Sequence, residues 1–256
     1  MIRKNRSGQV LLAGVLVIAL LLLSVELYVY DLGKVVVEAN ENSFSDFILA
    51  VKLGSRHVVI GSLANVSQGG ENPTLVTNLD RWSSFVWKRY SHRKSLLNFT
   101  TSDTSPYSSG VWTNWSRTDG IGVSGAFANF SLDFSGIQTD VQLEFNVNIT
   151  TTLNVEAVYT KLEDTLKETN VTCRVLNEGE TALARDFTLF YEDNGNLTVQ
   201  NWIRVVSLNN TDYGNGTYFM SFTADTQNRN DPLLVSVHMR DLRQIFVQTN
   251  ITCTEV

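Results

Sequence analysis

The chain has 256 residues, of which 43% are hydrophobic and 18% charged, a composition ordinary for a folded globular protein. The formal net charge is −6 at pH 7 and is unevenly placed. Arg3, Lys4 and Arg6 make the first six residues basic, whereas the remainder holds 17 basic and 26 acidic side chains. A mildly acidic remainder favours solubility and is poorly suited to general nucleic-acid binding, so no nucleic-acid partner is expected.

A long uncharged run lies close to the N-terminus. It begins at Val10 and continues to Val25, and after Glu26 the apolar character resumes up to Tyr30. Those 21 residues would form a helix about 31 Å long, which is enough to cross a bilayer. Because basic residues precede the run, we expect the N-terminus in the cytoplasm. The sequence therefore predicts a transmembrane helix over residues 9–31, in contact with membrane lipid, and an extracellular remainder.

The residues that follow the apolar run indicate whether a signal peptidase would cleave it off. A secretory signal needs small residues at the −3 and −1 positions after the apolar core. In the corresponding window only Ser24 and Gly33 are small, and neither has a small partner two residues away. We therefore expect the apolar run to be retained.

The basic leader carries a more specific pattern. The sequence RSGQ at residues 6–9, followed directly by the apolar run, resembles the prepilin leader of type IV pilins, especially archaeal ones. The resemblance implies a basic leader over 1–8, cleavage between Gly8 and Gln9, and a retained helix that packs into a filament. A plain signal anchor is the alternative, and Ala13 stands where many pilins carry a glutamate.

Asn-x-Ser/Thr sequons are frequent beyond the apolar run, where ten occur. Such sites accept glycans on the surfaces of exported proteins, so the sequence predicts an extracellular glycoprotein. The alternative is that a chain rich in Asn, Ser and Thr generates these triplets by composition alone. The candidate attachment sites are Asn65, Asn98, Asn114, Asn129, Asn148, Asn170, Asn196, Asn209, Asn215 and Asn250.

The two cysteines have similar contexts, NVTC ending at Cys173 and NITC ending at Cys253. An even number of cysteines in an exported chain predicts a disulfide. This one would close a loop of about 80 residues and contribute about 4 kcal/mol in the chain-entropy model. Two buried free thiols are the alternative. With no Cys-x-x-Cys in the chain, neither a redox motif nor a zinc ribbon is expected.

Residues 32–100 have helical spacing and are predicted to form a juxtamembrane helical region. A first, stem-like helix has an apolar stripe at three- and four-residue steps. A second helix begins near Pro73 and continues to about Leu97. The first stripe consists of Phe44, Phe47, Ile48, Val51, Val58, Val59 and Leu63, and the second of Leu75, Leu79, Trp82, Val86 and Tyr90.

From about Thr101 the apolar period changes to two, which is the signature of β-strands. We predict a β region over 101–155 and a β-sandwich over 156–256. The stretch TNVTCRVLNEGETALARDFTLFYEDNG resembles the first hairpin of the immunoglobulin-like, adhesion-related modules of prokaryotic surface proteins. In that pattern, one apolar strand is followed by Asn177, Gly179 and Ala182, and the next apolar strand contains Phe187 and Leu189.

Several sequence patterns that could carry chemistry lack the context or the spacing that this chemistry requires. GIGVSG satisfies G-x-G-x-x-G through Gly120, Gly122 and Gly125, but a strand pattern follows instead of the helix that dinucleotide binding requires. His57, His92 and His238 have no metal-ligand spacing. Asp225 and Asp231 lack the ordered spacing of a calcium loop. Trp112 and Trp115 flank Asn114 and could stack on sugars, or belong to the core.

The predicted fold class is α+β: an N-terminal transmembrane helix continuing into an amphipathic stem helix, a second helix, then an antiparallel β-sandwich head. The predicted function is non-enzymatic, with no catalytic residue, metal or cofactor. The chain would be a membrane-anchored extracellular glycoprotein, either a type IV pilin-like subunit or an adhesion or filament component. Its expected partners are pilin-like subunits or envelope proteins. The alternative is a single-pass cell-surface binding module that does not polymerise.

Overall fold

The computed structural model describes residues 24–26, 45–90, 95–115, 118–135, 140–162, 165–192, 202–226, 230 and 232–256. The chain divides into two compact units, Met1–Leu53 and Gly54–Val256. Residues 24–26 are helical and exposed. The predicted leader, the Gly8–Gln9 bond and the rest of the predicted transmembrane helix lie outside the described residues.

Two helices lie in the described part of residues 32–100, α1 (Ser45–Ser67) and α2 (Thr74–Arg89). Within the described part of the chain, α1 is long and apolar enough to cross a membrane, with a mean hydropathy of 1.4; a buried core helix meets the same criterion. The portion of α1 in the second unit is packed there, since Val59 and Leu63 are fully buried. Its Ser55 Oγ accepts a hydrogen bond of 3.0 Å from Nε1 of Trp82 on α2.

Helix α2 is shorter than the sequence pattern predicted. It ends at Arg89, whereas the predicted helix continued to about Leu97. Residues 95–101 instead form a strand in which the odd-numbered residues are buried or half-buried and the even-numbered residues, Leu96, Asn98 and Thr100, are exposed. This alternation has the period of a strand. Leu97 also fits the helical spacing, but residues 95–101 pair with residues 128–134, and this pairing decides the structure.

Thirteen strands are assigned in the described residues, and they form two sheets. The segments with a period of two are confirmed as strands, whereas four short strands, over 111–114, 180–181, 209–212 and 254–255, were not predicted. The strands are β1 (Ser95–Thr101), β2 (Val111–Asn114), β3 (Ile121–Ser135), β4 (Asp140–Lys161), β5 (Leu166–Asn177), β6 (Glu180–Thr181), β7 (Ala184–Glu192), β8 (Trp202–Arg204), β9 (Asn209–Asp212), β10 (Thr217–Asp225), β11 (Leu234–Asp241), β12 (Phe246–Thr252) and β13 (Thr254–Glu255).

The larger sheet, sheet A, has the order β1-β3-β4-β5-β10-β9, with β2 beside β3, β6 beside β5 and β13 beside β4. Sheet B has the order β12-β11-β7-β8. Strand pairing is antiparallel except between β13 and β4. Strand β4 runs for 22 residues across the boundary predicted at 155/156, so the β region and the sandwich share one strand.

The sequence resemblance to a first hairpin is corrected by this topology. Strand β5 belongs to sheet A and β7 to sheet B, so the two apolar strands of that stretch are not paired with each other. The turn at Glu178 and Gly179, both at positive φ, instead connects β5 to the two-residue strand β6. The chain then crosses from one sheet to the other before β7.

The inner face of sheet A is covered differently at its two ends. Near β1, Ser83 Oγ of α2 donates a hydrogen bond of 2.8 Å to the carbonyl of Leu97. Near the start of β3, sheet B lies against it, since Ser124 Oγ donates to the carbonyl of Phe246 at 2.7 Å. Facing rings join the sheets elsewhere, with Phe187 of β7 and Tyr218 of β10 having centroids 4.6 Å apart. The result is a β-sandwich-like arrangement with a helical layer at one end.

A buried ionic network fixes the turn between β11 and β12. The carboxylate of Asp241 is fully buried and accepts four hydrogen bonds: two backbone N–H groups, from Arg243 and Ile245, donate to Oδ1, and Arg243 Nε and Thr151 Oγ1 donate to Oδ2. The same guanidinium donates to the carbonyl of Thr150 at 3.0 Å and to Glu178 Oε1 at 2.7 Å. The network therefore joins sheet B to β4 and to the turn after β5.

Replacement of this arginine tests the network. We expect Arg243→Ala to lower the free energy of unfolding by about 3–5 kcal/mol, because it leaves the Asp241 charge buried without its partner. Arg56→Ala is the matched control, since Arg56 contacts the same Glu178 at 3.7 Å with a half-exposed side chain and should cost less than about 1 kcal/mol. Denaturant unfolding measures both, and equal losses would contradict the assignment.

Candidate functional site

Four predicted glycosylation sites share one surface, the outer face of sheet A. Asn98, Asn129, Asn148 and Asn170 lie on β1, β3, β4 and β5, and the residues on either side of each are more buried than the asparagine. Because side chains alternate along a strand, the hydroxyl residue two positions on points to the same side. These residues are Thr100, Ser131, Thr150 and Thr172, and none is buried. We call this surface the sequon face.

The other sequons are dispersed. Asn209 lies on β9 and Asn215 in the turn before β10, and both are exposed. Asn114 lies on β2 and Asn250 on β12, and both are partly buried. Asn196 lies outside the described residues. A further triplet, Asn5-Arg6-Ser7, precedes the apolar run and also lies outside them.

The sequon at Asn65 differs from the rest because it lies in α1. The asparagine is exposed, but Ser67 is 2% exposed. The Ser67 hydroxyl donates to the carbonyl of Ala64 at 3.1 Å and accepts from the backbone N–H of Phe246 at 3.0 Å. Both functions of that hydroxyl are occupied in the folded protein, so this triplet is not presented as an acceptor site.

Both cysteines are free, buried thiols in the structure. This is the alternative that the sequence left open to the predicted disulfide. Cys173 lies on β5, opposite Val155 and Tyr218, and Cys253 lies between β12 and β13. Burial raises the pKa of both thiols, that of Cys253 to about 12.

A groove of about 300 Å³ lies on the outer face of sheet B. The ring of Phe190 lies 4.8 Å from that of His238, whose Nε2 is 3.1 Å from Ser236 Oγ. Burial lowers the pKa of His238, which favours the neutral imidazole. The remaining lining residues are Trp202, Gln248 and Asn250. Sequence reasoning missed this site because cross-strand neighbours are not visible from periodicity.

A second groove, of about 350 Å³, lies between α2 and the portion of α1 in the second unit. Its lining is mainly apolar and includes Gly61, Trp82 and Phe85, the last two with stacked rings 5.5 Å apart. Phe85 and Trp87 on α2 are each about half exposed. The helical layer therefore presents aromatic surface to its surroundings.

The glycine motif has a structural role in β3. A Cβ at Gly122 would lie 2.2 Å from the carbonyl oxygen of Gln248, so glycine is required where β12 approaches β3. Gly120 has a φ of +78° at the start of the strand. The strand that was expected after the motif is present.

The other candidates are not brought together. His57 lies on α1 and His238 on β11, while His92 and Asp231 lie outside the described residues. Asp225 accepts a hydrogen bond from the Thr165 hydroxyl. Among the described residues, no group of three or more His, Cys, Asp or Glu side chains is arranged to hold a metal ion.

The two tryptophans beside Asn114 diverge. Trp115 donates to Ser124 Oγ at 3.0 Å and meets Phe246 edge to face at 5.4 Å, so it belongs to the junction between the sheets. Trp112 faces outward and lies near Tyr107, with ring centroids 6.1 Å apart.

Comparisons with protein-family models, curated proteins and solved structures found no match for this chain. What the chain does must therefore be inferred from its own residues.

The thiols provide a direct test of their burial. A thiol whose pKa is about 12 is ionised to about one part in 10,000 near pH 8, against roughly a quarter for an unperturbed cysteine. We expect alkylation of the native protein to be about a thousandfold slower than that of a model thiol. After unfolding in the absence of a reductant, we expect each chain to take up two alkyl groups, one on each cysteine, and intact-protein mass spectrometry counts them. Rapid labelling of the native protein, or no label after unfolding, would contradict free buried thiols.

Proposed function

We propose that the chain is a non-enzymatic extracellular glycoprotein, anchored in the membrane by its N-terminal apolar segment and serving as a pilin-like or adhesion component. The sequon face is the observation that carries this proposal. Four strands of one sheet each place an asparagine and its hydroxyl residue on the same accessible side. Such an arrangement suits a surface covered by glycans, which requires export of the folded domain.

The strand order supports an immunoglobulin-like head. One layer has the order β4-β5-β10-β9 and the other β12-β11-β7-β8. The same order is obtained in immunoglobulin-type sandwiches when the strands of the two sheets are named A-B-E-D and G-F-C-C′. Modules of this architecture occur in many cell-surface proteins, although the fold alone does not determine function.

The helical layer supports a role in assembly. Its groove, bordered by the half-exposed ring of Phe85, forms an apolar surface, whereas the only sequon in the described part of this layer, at Asn65, has a buried hydroxyl. A surface without glycans remains accessible for contact with another subunit. Together with the prepilin-like sequence before Gln9, this favours a subunit that packs through its helices.

The second candidate function is a binding module that does not polymerise, favoured by the groove on sheet B. Aromatic rings beside amide, imidazole and hydroxyl groups can hold a polar ligand with an apolar face. Asn250 lines this groove, so a glycan attached there would occupy it. The binding function therefore requires a bare Asn250, which glycopeptide analysis measures.

Glycopeptide mass spectrometry of the native protein tests the main proposal. We expect glycans at Asn98, Asn129, Asn148 and Asn170, because their sequons are accessible in the folded sheet. We expect Asn65 to be bare, because the Ser67 hydroxyl is buried. Four unmodified sites on the sequon face would overturn the proposal, and a glycan on Asn65 would contradict the packing of Ser67.

The mature N-terminus separates the pilin-like subunit from a plain anchor. We expect N-terminal sequencing of the native protein to begin at Gln9, and Gly8→Val to leave the leader in place because the peptidase pattern ends at that glycine. A native protein that starts at Met1 would remove the pilin-like proposal and leave the anchored module. Ser7→Ala is the control that keeps Gly8 and should be cleaved normally.

A further inference from the structure

The surroundings of Asn148 differ from those of the other sites on the sequon face. Asn148 is exposed between the buried residues Val147 and Ile149 of β4. Its partner across the sheet is Phe127 of β3, which is directly opposite in the register. Directly opposite residues have Cβ atoms about 4.5–5.5 Å apart and share one face of the sheet. The side chain of Phe127 is therefore the direct cross-strand neighbour of the Asn148 side chain.

Two more rings extend this surface. The Tyr107 ring lies 6.1 Å from Phe127 at 48° and 6.1 Å from Trp112 at 65°. All three rings are partly exposed. We call Tyr107, Trp112 and Phe127 the aromatic platform.

The platform continues beside the other end of the same sequon. Trp112 and Thr150 are the two cross-strand partners of Gly125. A Cβ placed on Gly125 would lie 3.4 Å from Thr150 Cγ2 and 3.6 Å from Trp112 Cε3. The indole and the threonine therefore border the same open position above Gly125, and the platform neighbours both Asn148 and its hydroxyl residue.

The other three asparagines of the sequon face have non-aromatic partners across the sheet. Asn98 is opposite Ser131, and Asn129 is opposite Thr100 and Asn146. Asn170 is opposite Val158 and Ser221. Among these four sites, Asn148 is therefore the one with an aromatic residue, Phe127, directly opposite it on the neighbouring strand.

We propose that the first sugar of a glycan on Asn148 stacks on the aromatic platform and so stabilises the folded sheet. A pyranose ring presents several C–H groups on one face, and these pack against the negative face of an aromatic ring while the hydroxyls remain in water. The inference rests on the proposed function, because it requires that the sequons be glycosylated. It assigns one of the attached sugars a structural role that the other three lack.

A double-mutant cycle on the full-length glycosylated protein tests this role. The single variants are Phe127→Leu and Asn148→Gln, and the control cycle combines Phe127→Leu with Asn170→Gln. We expect a coupling of about threefold to tenfold in the unfolding equilibrium constant for the first pair and none for the second. Denaturant unfolding gives the constants, and glycopeptide mass spectrometry of each sample gives the occupancy.

A second measurement does not depend on the ring variant. Removal of the glycan by Asn148→Gln should accelerate amide hydrogen exchange in β3 around Phe127, whereas Asn170→Gln should leave that segment unchanged. An occupied Asn148 with neither coupling nor local acceleration would overturn the stacking. A bare Asn148 beside occupied neighbours would also overturn it while leaving the proposed function intact. Four bare sites would overturn the proposed function and the stacking together.

Discussion

The buried carboxylate of Asp241 is the constraint on which the junction of the two sheets depends. Its four accepted hydrogen bonds, together with the bonds of Arg243 to Thr150 and Glu178, satisfy a charge that water cannot reach. A buried charge is tolerated only with such compensation. Three of the four bonds to this carboxylate come from the turn itself, and the fourth comes from Thr151 of β4. The same charge therefore stabilises the local turn and links it to sheet A.

A second contact between the sheets is the close approach at Gly122. The Asp241 network holds the β11–β12 turn against β4, and β12 lies so near β3 that a Cβ at Gly122 would meet the carbonyl oxygen of Gln248. After β12 the chain leaves sheet B, and β13 pairs in parallel with β4. One strand, β4, thus pairs with β3, β5 and β13 and, through Thr151, also contacts the turn of sheet B.

Local pattern was sufficient to predict the longer strands from β3 onward, because alternation depends only on a few successive residues. The short strands of two to four residues at 111–114, 180–181, 209–212 and 254–255 are too brief to show a period. The end of α2 was predicted wrongly, since Leu97 satisfies both the helical spacing and the strand period, and only pairing with β3 decides between them. The placement of β5 and β7 in different sheets likewise depends on contacts between distant residues.

The sites of interest were even less accessible to sequence reasoning. Asn148 and Phe127 are 21 positions apart, and their proximity follows from the register of β3 with β4. The groove on sheet B combines residues from four strands, and Arg243 meets Thr150 from the far side of the sandwich. Sequence identified which residues were chemically suited to a role, but the register decided which of them meet.

Secondary structure determines how a sequon is presented, and the two kinds occur in this chain. In a strand, residues i and i+2 point to the same side, so an exposed asparagine brings its hydroxyl residue into solvent, as at Asn148 and Thr150. In an α-helix the same spacing separates the side chains by about 200°. An exposed asparagine then directs its partner toward the core, as Asn65 and Ser67 show. The distribution of usable sequons over sheet A and away from the helical layer is thus a consequence of the two backbone periods.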